Sequence, residues 1–404
     1  MLAARMAGRV ALIGPMAAET VGPDHAPSTP VDVSPLAYIM FTSGTTGHPK
    51  GVAVHRSNLA AYLSSIAGVV PLSVGTRCSQ MFDLSFDLSV HDMFHTWASG
   101  GVLYVPNAKE VLDPIGFAKR HRLECWFSVP SMVARAARAG QLASGALSDL
   151  QFSLFCGEPL PVSLAEQWVQ VAPNSQILNL YGPTEATIAI TAHHFVPGAS
   201  TYSGLSTVPI GEPLDGSELQ IVNTDELPSE TGELLLGGPQ ISAGYMNDPL
   251  LQADRFIARC FAGAASTRWY RTGDAVRATA SGALAFEGRL DDQVKINGYR
   301  VELQDVDEAL RRAAGTREVA TIAWTRRGST ILIGFVCGST RSTSEILVEC
   351  RRTLPTYMRP RRILTVDQMP TSVSGKLDRK ALAAMLSAPR PRQGESGGVG
   401  ETLL

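Results

Sequence analysis

Several features that mark specialised classes of protein are missing from this sequence. The six cysteines are scattered, with no Cys-x-x-Cys pair, which excludes a small disulfide-framework domain and predicts reduced thiols in the cytoplasm. No apolar run reaches the roughly 18 residues that a membrane helix needs. The 35 basic residues are balanced by 37 acidic ones, so the strong positive field of many nucleic-acid-binding proteins is absent. These absences leave a cytoplasmic enzyme or binding protein.

The order of apolar segments predicts the fold class. A length of 404 residues corresponds to two or three domains. Up to about residue 190, short apolar strands alternate with helical stretches, which predicts an α/β domain with a mostly parallel sheet. Short β runs separated by Gly, Pro and Asp then predict a small β-rich subdomain. The last hundred residues alternate strands and helices in the manner of a small α+β domain.

A glycine-rich segment, Tyr38–Gly51 (YIMFTSGTTGHPKG), overlaps the end of a predicted buried strand at Leu36–Thr42. A helix is predicted directly after it, from Arg56 to Ile66 with its cap at Ser57. Exposed N–H groups in such a turn bind phosphate oxygens, and hydroxyl and lysine side chains add donors. The spacing differs from the G-x-x-x-x-G-K-[ST] phosphate loop. The predicted phosphate-binding residues are Thr42, Ser43, Gly44, Thr45, Thr46, Gly47 and Lys50.

Four more segments follow in order, namely Asn179–Glu185 (NLYGPTE), Tyr270–Asp274 (YRTGD), Gly288–Glu302 (GRLDDQVKINGYRVE) and Ser374–Arg379 (SGKLDR). Together with Tyr38–Gly51 they resemble the motifs of the adenylate-forming superfamily. This superfamily contains acyl- and aryl-CoA synthetases, luciferases and amino-acid adenylation domains. The resemblance implies ATP and Mg²⁺ as cofactors.

The resemblance also implies a domain organisation. Residues 1–287 correspond to a large adenylation domain that lacks the family's first part, and 288–291 to a hinge at Asp291. Residues 292–387 correspond to a mobile C-terminal domain, and 388–404 are predicted to be a disordered tail. Rotation about such a hinge lets one site carry out two reactions in sequence.

Each implied site residue has suitable chemistry. Glu185 is a carboxylate suited to holding Mg²⁺, and Lys376 would stabilise negative charge in the transition state. Asp274 could accept hydrogen bonds from both ribose hydroxyls, and the Tyr181 ring offers a face for stacking on a base. With Thr184, residues Lys376 and Glu185 form the predicted catalytic set. The remaining predicted ATP-binding residues are Gly157, Glu158, Asn179, Tyr181, Asp274 and Arg289.

The segment Phe86–Phe94 resembles the amino-acid-activating branch of the superfamily. There, an aspartate matching Asp87 pairs with the α-ammonium group of the substrate, while Lys376 faces the carboxylate. The lining is apolar apart from His91 and Cys156, which predicts a small or medium, uncharged side chain. The predicted substrate-binding residues are Asp87, Leu88, His91, Phe127, Leu154, Cys156, Leu180, Ile188 and Ala189.

Two segments, Phe155–Ser163 and Tyr181–Thr187, are similar to D-alanine–carrier protein ligases and to stand-alone peptide-synthetase adenylation enzymes. His91 departs from the ligase pattern, which has an apolar residue there. The implied reaction has two steps. ATP and an amino acid form an aminoacyl adenylate and pyrophosphate, and the phosphopantetheine thiol of a separate carrier protein then takes the aminoacyl group. No protein nucleophile is needed, and neither nucleic acid nor a membrane is expected as partner.

Two alternatives stay open. An acyl-CoA ligase of the same superfamily would use CoA as acceptor, although it has no need for a buried carboxylate at Asp87. The chain could instead be an inactive nucleotide-binding fragment, because only 37 residues precede Tyr38 and family members have a longer segment there. On that basis we expect uncovered sheet edges and apolar faces, and a poorly stable isolated chain.

Overall fold

The computed structural model describes residues 35–42, 49–279, 282–326, 329–371 and 377–387. Several predicted features lie outside the described residues. They are the phosphate-loop residues Ser43, Gly44, Thr45, Thr46 and Gly47, the catalytic Lys376, and the predicted tail 388–404.

Twenty strands are formed within the described residues. Their bounds are β1 Leu36–Thr42, β2 Lys50–His55, β3 Arg77–Ser79, β4 Val102–Tyr104, β5 Cys125–Ser128, β6 Phe152–Phe155, β7 Gln176–Tyr181, β8 Thr191–Phe195, β9 Glu212–Pro213, β10 Glu218–Val222, β11 Thr231–Gly237, β12 Gly244–Tyr245, β13 Phe256–Ala258, β14 Arg268–Ala278, β15 Leu284–Arg289, β16 Gln293–Ile296, β17 Tyr299–Glu302, β18 Val319–Arg326, β19 Ser329–Val336 and β20 Arg362–Thr365.

The same part of the chain contains nine α-helices. Their bounds are α1 Arg56–Val69, α2 Leu88–Ala98, α3 Pro114–His121, α4 Pro130–Arg138, α5 Val162–Val171, α6 Pro249–Arg255, α7 Leu303–Ala314, α8 Thr343–Thr353 and α9 Arg379–Ser387. None of them is both long and apolar enough to cross a membrane.

A seven-stranded sheet forms the centre of the molecule, in the order β4-β3-β5-β6-β7-β8-β9. The strands from β4 to β7 are parallel, while β8 and β9 are antiparallel. Successive residues of β5 face opposite sides, because side chains alternate along a strand. Trp126 therefore packs in one core with Trp168, and Phe127 packs in another core with Tyr62. The predicted α/β architecture with a mostly parallel sheet is confirmed.

The glycine-rich segment departs from the prediction on the far side of its loop. It is followed by the strand β2, which pairs antiparallel with β1 and places Thr42 opposite Lys50. The predicted cap at Ser57 is wrong. Helix α1 begins at Arg56, and Asn58 Oδ1 accepts a hydrogen bond from the backbone N–H of His55 at 2.9 Å. Asn58, the third residue of the helix, thus gives the backbone N–H of His55 a partner at the helix start, where N–H groups have no partner within the helix.

The β-rich region forms a five-stranded antiparallel sheet from β10, β11, β14, β13 and β15. After it, β16 and β17 form a hairpin that is separate from the three-stranded sheet β18-β19-β20. Asn297 and Gly298 at the hairpin tip have φ of 49° and 84°. This pair of positive φ values is the Asn-Gly turn that matches the twist of a two-residue hairpin. Helices α7 and α8 pack on the three-stranded sheet.

One edge of the central sheet carries exposed apolar residues. β4 is the edge strand among the described residues, and Val102 on it is 46% exposed. Nearby on α2, Trp97 is 54% exposed and contacts the Phe94 ring edge-on at 5.7 Å. These side chains form a small exposed apolar face beside the edge strand. The low stability expected of the isolated chain stays a prediction.

Candidate active site

Two neighbouring cavities lie at the carboxyl ends of β6 and β7, the position where open parallel sheets bind ligands. Their volumes are about 390 Å³ and 320 Å³. Gly157 and Tyr181 line both, and so do Gln293 and Lys295 of the β16–β17 hairpin. The site therefore has one wall from the central sheet and one from the hairpin.

Asn179 lines the smaller cavity, near the end of β7. Its amide nitrogen donates hydrogen bonds to the carbonyl groups of Val208 at 3.2 Å and Pro209 at 2.9 Å. Its side-chain oxygen Oδ1 is buried and has no hydrogen-bond partner among the described residues. A buried acceptor left open in a cavity wall can accept a hydrogen bond from a ligand donor.

Tyr181, Asp274 and Arg289 form a connected group between the two cavities. The Tyr181 hydroxyl donates to Asp274 Oδ2 at 2.5 Å, and Arg289 Nη1 donates to Asp274 Oδ1 at 2.8 Å. Burial and the Asp274 carboxylate raise the pKa of Tyr181 well above its usual value, so the hydroxyl stays protonated. Both Asp274 oxygens already hold a donor in this structure. Each keeps a further lone pair for a ligand hydroxyl.

Gly157 and Glu158 follow β6. Gly157 has φ of 87°, a conformation that glycine adopts without steric cost. Glu158 accepts hydrogen bonds from the backbone N–H groups of Ser131 at 2.9 Å and Gly298 at 2.8 Å. The second of these bonds fastens the hairpin tip to the sheet wall.

Glu185 is completely buried, and its neighbour Thr184 lines the larger cavity. Arg300 Nη1 lies 3.0 Å from both Glu185 oxygens, and the Tyr245 hydroxyl donates to Oε1 at 2.6 Å. Burial alone would raise the pKa of Glu185, but the Arg300 charge and the Tyr245 hydrogen bond hold it below its usual value. The carboxylate is therefore ionised, and carboxylate oxygens are ligands that Mg²⁺ prefers. In this structure the Arg300 guanidinium group supplies the positive charge beside it.

Thr42 and Lys50 stand opposite each other at the base of the phosphate loop. The Thr42 hydroxyl is buried without a partner among the described residues. Lys50 Nζ lies 4.0 Å from Glu302 Oε1, and burial lowers the pKa of Lys50. Of the predicted phosphate-binding residues, the structure describes Thr42 and Lys50. Thr42 supplies a hydroxyl without a partner among the described residues, and Lys50 supplies a buried ammonium group.

Asp87 lines the larger cavity at the start of α2 and is 7% exposed. Burial raises the pKa of its carboxyl group to about 6, against a hydrogen bond from Thr184 that lowers it. The oxygen Oδ2 has no hydrogen-bond partner in the described part of the chain. A buried carboxylate with an open oxygen is costly unless a cation pairs with it.

Comparison with known proteins identifies the family. A family described as "AMP-binding enzyme" matches residues 8–246. The D-alanine–D-alanyl carrier protein ligase of Lacticaseibacillus rhamnosus is 35% identical over 363 residues, covering 86% of this chain and 70% of the ligase. The chain belongs to the AMP-binding enzyme family.

Two further relatives show the breadth of this AMP-binding family. Bacitracin synthase 3 of Bacillus licheniformis is 33% identical over 372 residues, covering 89% of this chain and 6% of the synthase. The crystal structure of the Vibrio cholerae adenylation domain AlmE in complex with glycyl-adenosine-5'-phosphate is 38% identical, with a TM-score of 0.79. That match covers 87% of this chain and 66% of AlmE, so the chain spans only part of its relatives. The predicted superfamily and fold class are confirmed.

The AMP-binding enzyme brings only some of its predicted substrate residues to a cavity. Asp87, Leu88 and Cys156 line the larger cavity, and Leu180 lines the smaller one. Burial raises the pKa of Cys156 to about 12, so the thiol is neutral. The other predicted residues are buried and line neither cavity. They are His91, Phe127, Leu154, Ile188 and Ala189.

Asp291, the predicted hinge residue, is held by two arginines. Arg289 donates to both Asp291 oxygens, at 2.8 Å and 2.6 Å, and Arg255 Nη2 lies 3.7 Å from Oδ2. Burial would raise the pKa of Asp291, but the Arg289 hydrogen bonds keep it below its usual value. Its role as a hinge stays a prediction.

Sequence reasoning missed the hairpin residues of this enzyme. Lys295 lines both cavities. Tyr299 meets the Phe86 ring edge-on at 4.5 Å and stacks on Tyr357 at 3.9 Å. Arg300 pairs with Glu185. All three lie in the segment Gly288–Glu302, whose family resemblance implies a hinge alone. The Asn-Gly turn in that segment indicates a projecting hairpin and could have identified them.

Proposed function

We propose that the protein activates an amino acid with a small or medium, uncharged side chain. The amino acid and ATP form an aminoacyl adenylate and pyrophosphate. The phosphopantetheine thiol of a separate carrier protein then takes the aminoacyl group as a thioester, and AMP is released. The observation that carries this proposal is the open, buried oxygen of Asp87. An α-ammonium group is the cation that would satisfy it.

The charge of the site supports an amino acid over a simple carboxylic acid. Asp87 is buried with its pKa raised by burial, so an ionised Asp87 without a partner costs free energy. A zwitterionic substrate pairs its ammonium group with Asp87 and recovers that cost. A fatty or aryl acid has no group that would do so. The neutral Cys156 thiol and apolar Leu88 beside it suit an uncharged side chain.

The nucleotide fits the smaller cavity in this proposal. Asn179 Oδ1 would accept a hydrogen bond from the exocyclic amine of adenine, and Tyr181 would contact the base. Asp274 and Arg289 would face the ribose and phosphate, with Lys50 near the phosphates. Lys376, outside the described residues, is proposed to reach the reacting carboxylate from the C-terminal segment.

Glu185 is proposed as the Mg²⁺ ligand. Mg²⁺ bound there would neutralise charge on the phosphates. Arg300 contacts both Glu185 oxygens in this structure, so a metal there would use their remaining lone pairs or take the place of the guanidinium group.

Carrier-protein transfer is proposed from the relatives. One of them is itself a carrier protein ligase by name. A solved structure that is 27% identical, with a TM-score of 0.73 over 90% of this chain and 63% of its own, is described as a peptide synthetase protein containing adenylation and carrier domains. The acceptor of this chain would accordingly be a phosphopantetheine thiol.

The first step is tested by amino-acid-dependent exchange of labelled pyrophosphate into ATP with the full chain. We expect at least one amino acid with an uncharged side chain to stimulate exchange. If no amino acid does so while the chain still binds ATP, the protein is a nucleotide-binding fragment and the proposal is wrong.

The second step is tested by loading. The chain is incubated with ATP, the active amino acid and either holo-carrier proteins or CoA. We expect mass increases on a carrier protein. Acylation of CoA alone would contradict carrier transfer and favour an acyl-CoA ligase.

A further inference from the structure

The floor beneath Asp87 contains a residue that the sequence motifs do not include. Tyr62, on α1, is completely buried, and its hydroxyl lies 2.7 Å from His91 Nδ1 on α2. Both side chains lie in the interior, and the Tyr62 ring meets the imidazole at 5.9 Å. A tyrosine and a histidine from two helices thus form one hydrogen-bonded unit.

The helix geometry places this unit where a substrate side chain would go. His91 follows Asp87 by four residues, and residues at that spacing lie on one face of a helix with Cβ atoms about 5–6 Å apart. If the ammonium group of a substrate pairs with Asp87, its side chain can extend along that face toward His91. The imidazole lies one helical turn further along that face, behind the residues that line the larger cavity.

The imidazole is packed on its other sides as well. The Phe127 ring meets it at 4.6 Å and the His95 ring lies at 5.0 Å. His95 Nε2 is in turn 3.0 Å from the carbonyl oxygen of Val70. Phe127 and His91 are 1% and 3% exposed and line neither cavity, whereas Cys156 does. The cavity therefore ends at Cys156 and Leu88, with aromatic rings filling the space behind.

The hydrogen bond fixes this arrangement. Burial lowers the pKa of His91 well below its usual value and raises that of Tyr62, so both groups are neutral. Rotating His91 away would leave the Tyr62 hydroxyl and a ring nitrogen buried without partners, which is unfavourable. A larger substrate side chain would have to meet that cost as well as a steric one.

We infer that Tyr62 is a specificity-determining positioning residue. By holding His91 against Phe127, it closes the pocket one turn beyond Asp87 and limits the substrate to glycine or an alanine. This inference rests on the proposed function and narrows its substrate class. It predicts that the side chain is a hydrogen atom or one methyl group.

The first test uses the unmodified chain. Pyrophosphate exchange is measured with glycine, L-alanine, D-alanine, L-valine, L-leucine and L-phenylalanine. We expect glycine or an alanine to be used best, with kcat/KM for valine and leucine lower by roughly 10- to 200-fold for each step in size. Valine, leucine or phenylalanine working as well as glycine and alanine overturns the inference but leaves amino-acid activation intact. Exchange with no amino acid overturns the proposed function instead.

The second test uses three variants of the full chain. His91→Ala removes the imidazole, and Tyr62→Phe keeps the ring but removes the hydroxyl that holds it. The matched control is Tyr202→Phe, because the Tyr202 hydroxyl lies 3.1 Å from His193 Nε2 in a Tyr–His pair outside the site.

We expect His91→Ala to raise the ratio of kcat/KM for valine over glycine at least tenfold. Tyr62→Phe should raise it several-fold, mainly through the KM for valine. Tyr202→Phe should leave the ratio unchanged. If Tyr62 had a merely structural role, Tyr62→Phe would lower activity with all amino acids equally. An unchanged ratio in Tyr62→Phe therefore overturns the inference. If a variant fails to fold, as judged by thermal unfolding, the substrate series of the unmodified chain still tests whether the pocket is limited to glycine or an alanine.

Discussion

The two walls of the active site are held in place by different forces. The sheet wall, which carries Asp87 and Cys156, is part of an apolar core with Tyr62 and Phe127. The hairpin wall reaches the same cavity through polar and ring-edge contacts. Those contacts are Gly298 to Glu158, Arg300 to Glu185 and Tyr299 to Phe86.

This difference separates the fixed part of the site from the exchangeable part. Apolar packing is lost as a whole when surfaces separate, and nothing in a polar ligand replaces it. An ion pair can instead be exchanged for another ion, so a metal at Glu185 or a phosphate at Arg300 can take over one half of the contact. The sheet wall is therefore suited to select the substrate, and the hairpin wall to respond to bound nucleotide. The predictions below test that division.

The largest effect is expected at the charged end of the sheet wall. Asp87→Asn removes the carboxylate that would pair with the substrate ammonium group. We expect kcat/KM in pyrophosphate exchange to fall about 100-fold or more, because losing one member of a buried charge pair costs roughly 2–5 kcal/mol. Asp149→Asn, at an exposed ion pair with Arg122, is the control and should keep activity. Equal activity of Asp87→Asn and the unmodified chain would contradict the role of Asp87.

The same variant should change stability in the opposite direction. Burial raises the pKa of Asp87 from its ordinary value of 3.8 to about 6, so the folded state binds this proton more tightly than the unfolded state. Its contribution is present below pH 3.8 and is lost as pH rises through 6, by up to about 3 kcal/mol. The free energy of unfolding of Asp87→Asn, minus that of the unmodified chain, should therefore rise between pH 4 and pH 7.5. Urea unfolding at the two pH values measures this, and a flat difference would exclude the raised pKa.

Close backbone packing behind the sheet wall predicts a smaller loss. A Cβ on Gly182 would lie 2.6 Å from the Cα of Ala189 and 2.9 Å from the carbonyl oxygen of Ile188. Gly182→Ala should lower the free energy of unfolding by about 2 kcal/mol, because the backbone has to shift. Gly68→Ala is the matched control, since a Cβ there meets nothing within 4 Å and the position lies in helix α1. It should be neutral or stabilising in the same urea titration, and a neutral Gly182→Ala would show that this wall is not rigid.

The smallest effect is expected where the two walls touch through rings. Phe86→Leu and Tyr299→Leu each remove one side of the edge-on contact at 4.5 Å. A double-mutant cycle should give a coupling free energy of about 1 kcal/mol. In the variants, the backbone amides of the Gln293–Glu302 hairpin should exchange hydrogen faster than in the unmodified chain. The amides of Ile177–Tyr181 in the central sheet should keep their protection. Faster exchange in both segments would mean that the walls do not separate independently.

Local patterns predicted much of the fold. The strand at Leu36–Thr42 has the predicted bounds. Its predicted burial is wrong, since Met40 is the one buried residue in it. The motifs also predicted site residues that the structure places at the two cavities, namely Thr42, Asp87, Asn179 and Tyr181. They predicted Lys50 as well, which lies opposite Thr42. The strand β2 was missed, since its residues face the core on both sides and show no alternation.

The motifs could not predict contacts between residues that lie far apart in the chain. The sequence by itself determined the order of elements, the family and the residue types in each motif, because periodicity and motif spacing are local properties. Only the tertiary structure decided that Arg300 pairs with Glu185, 115 positions away, and that the Tyr62 hydroxyl meets His91 Nδ1. Those contacts depend on how separately formed helices, strands and a hairpin dock, and docking is set by the shape and charge of surfaces that no segment carries alone.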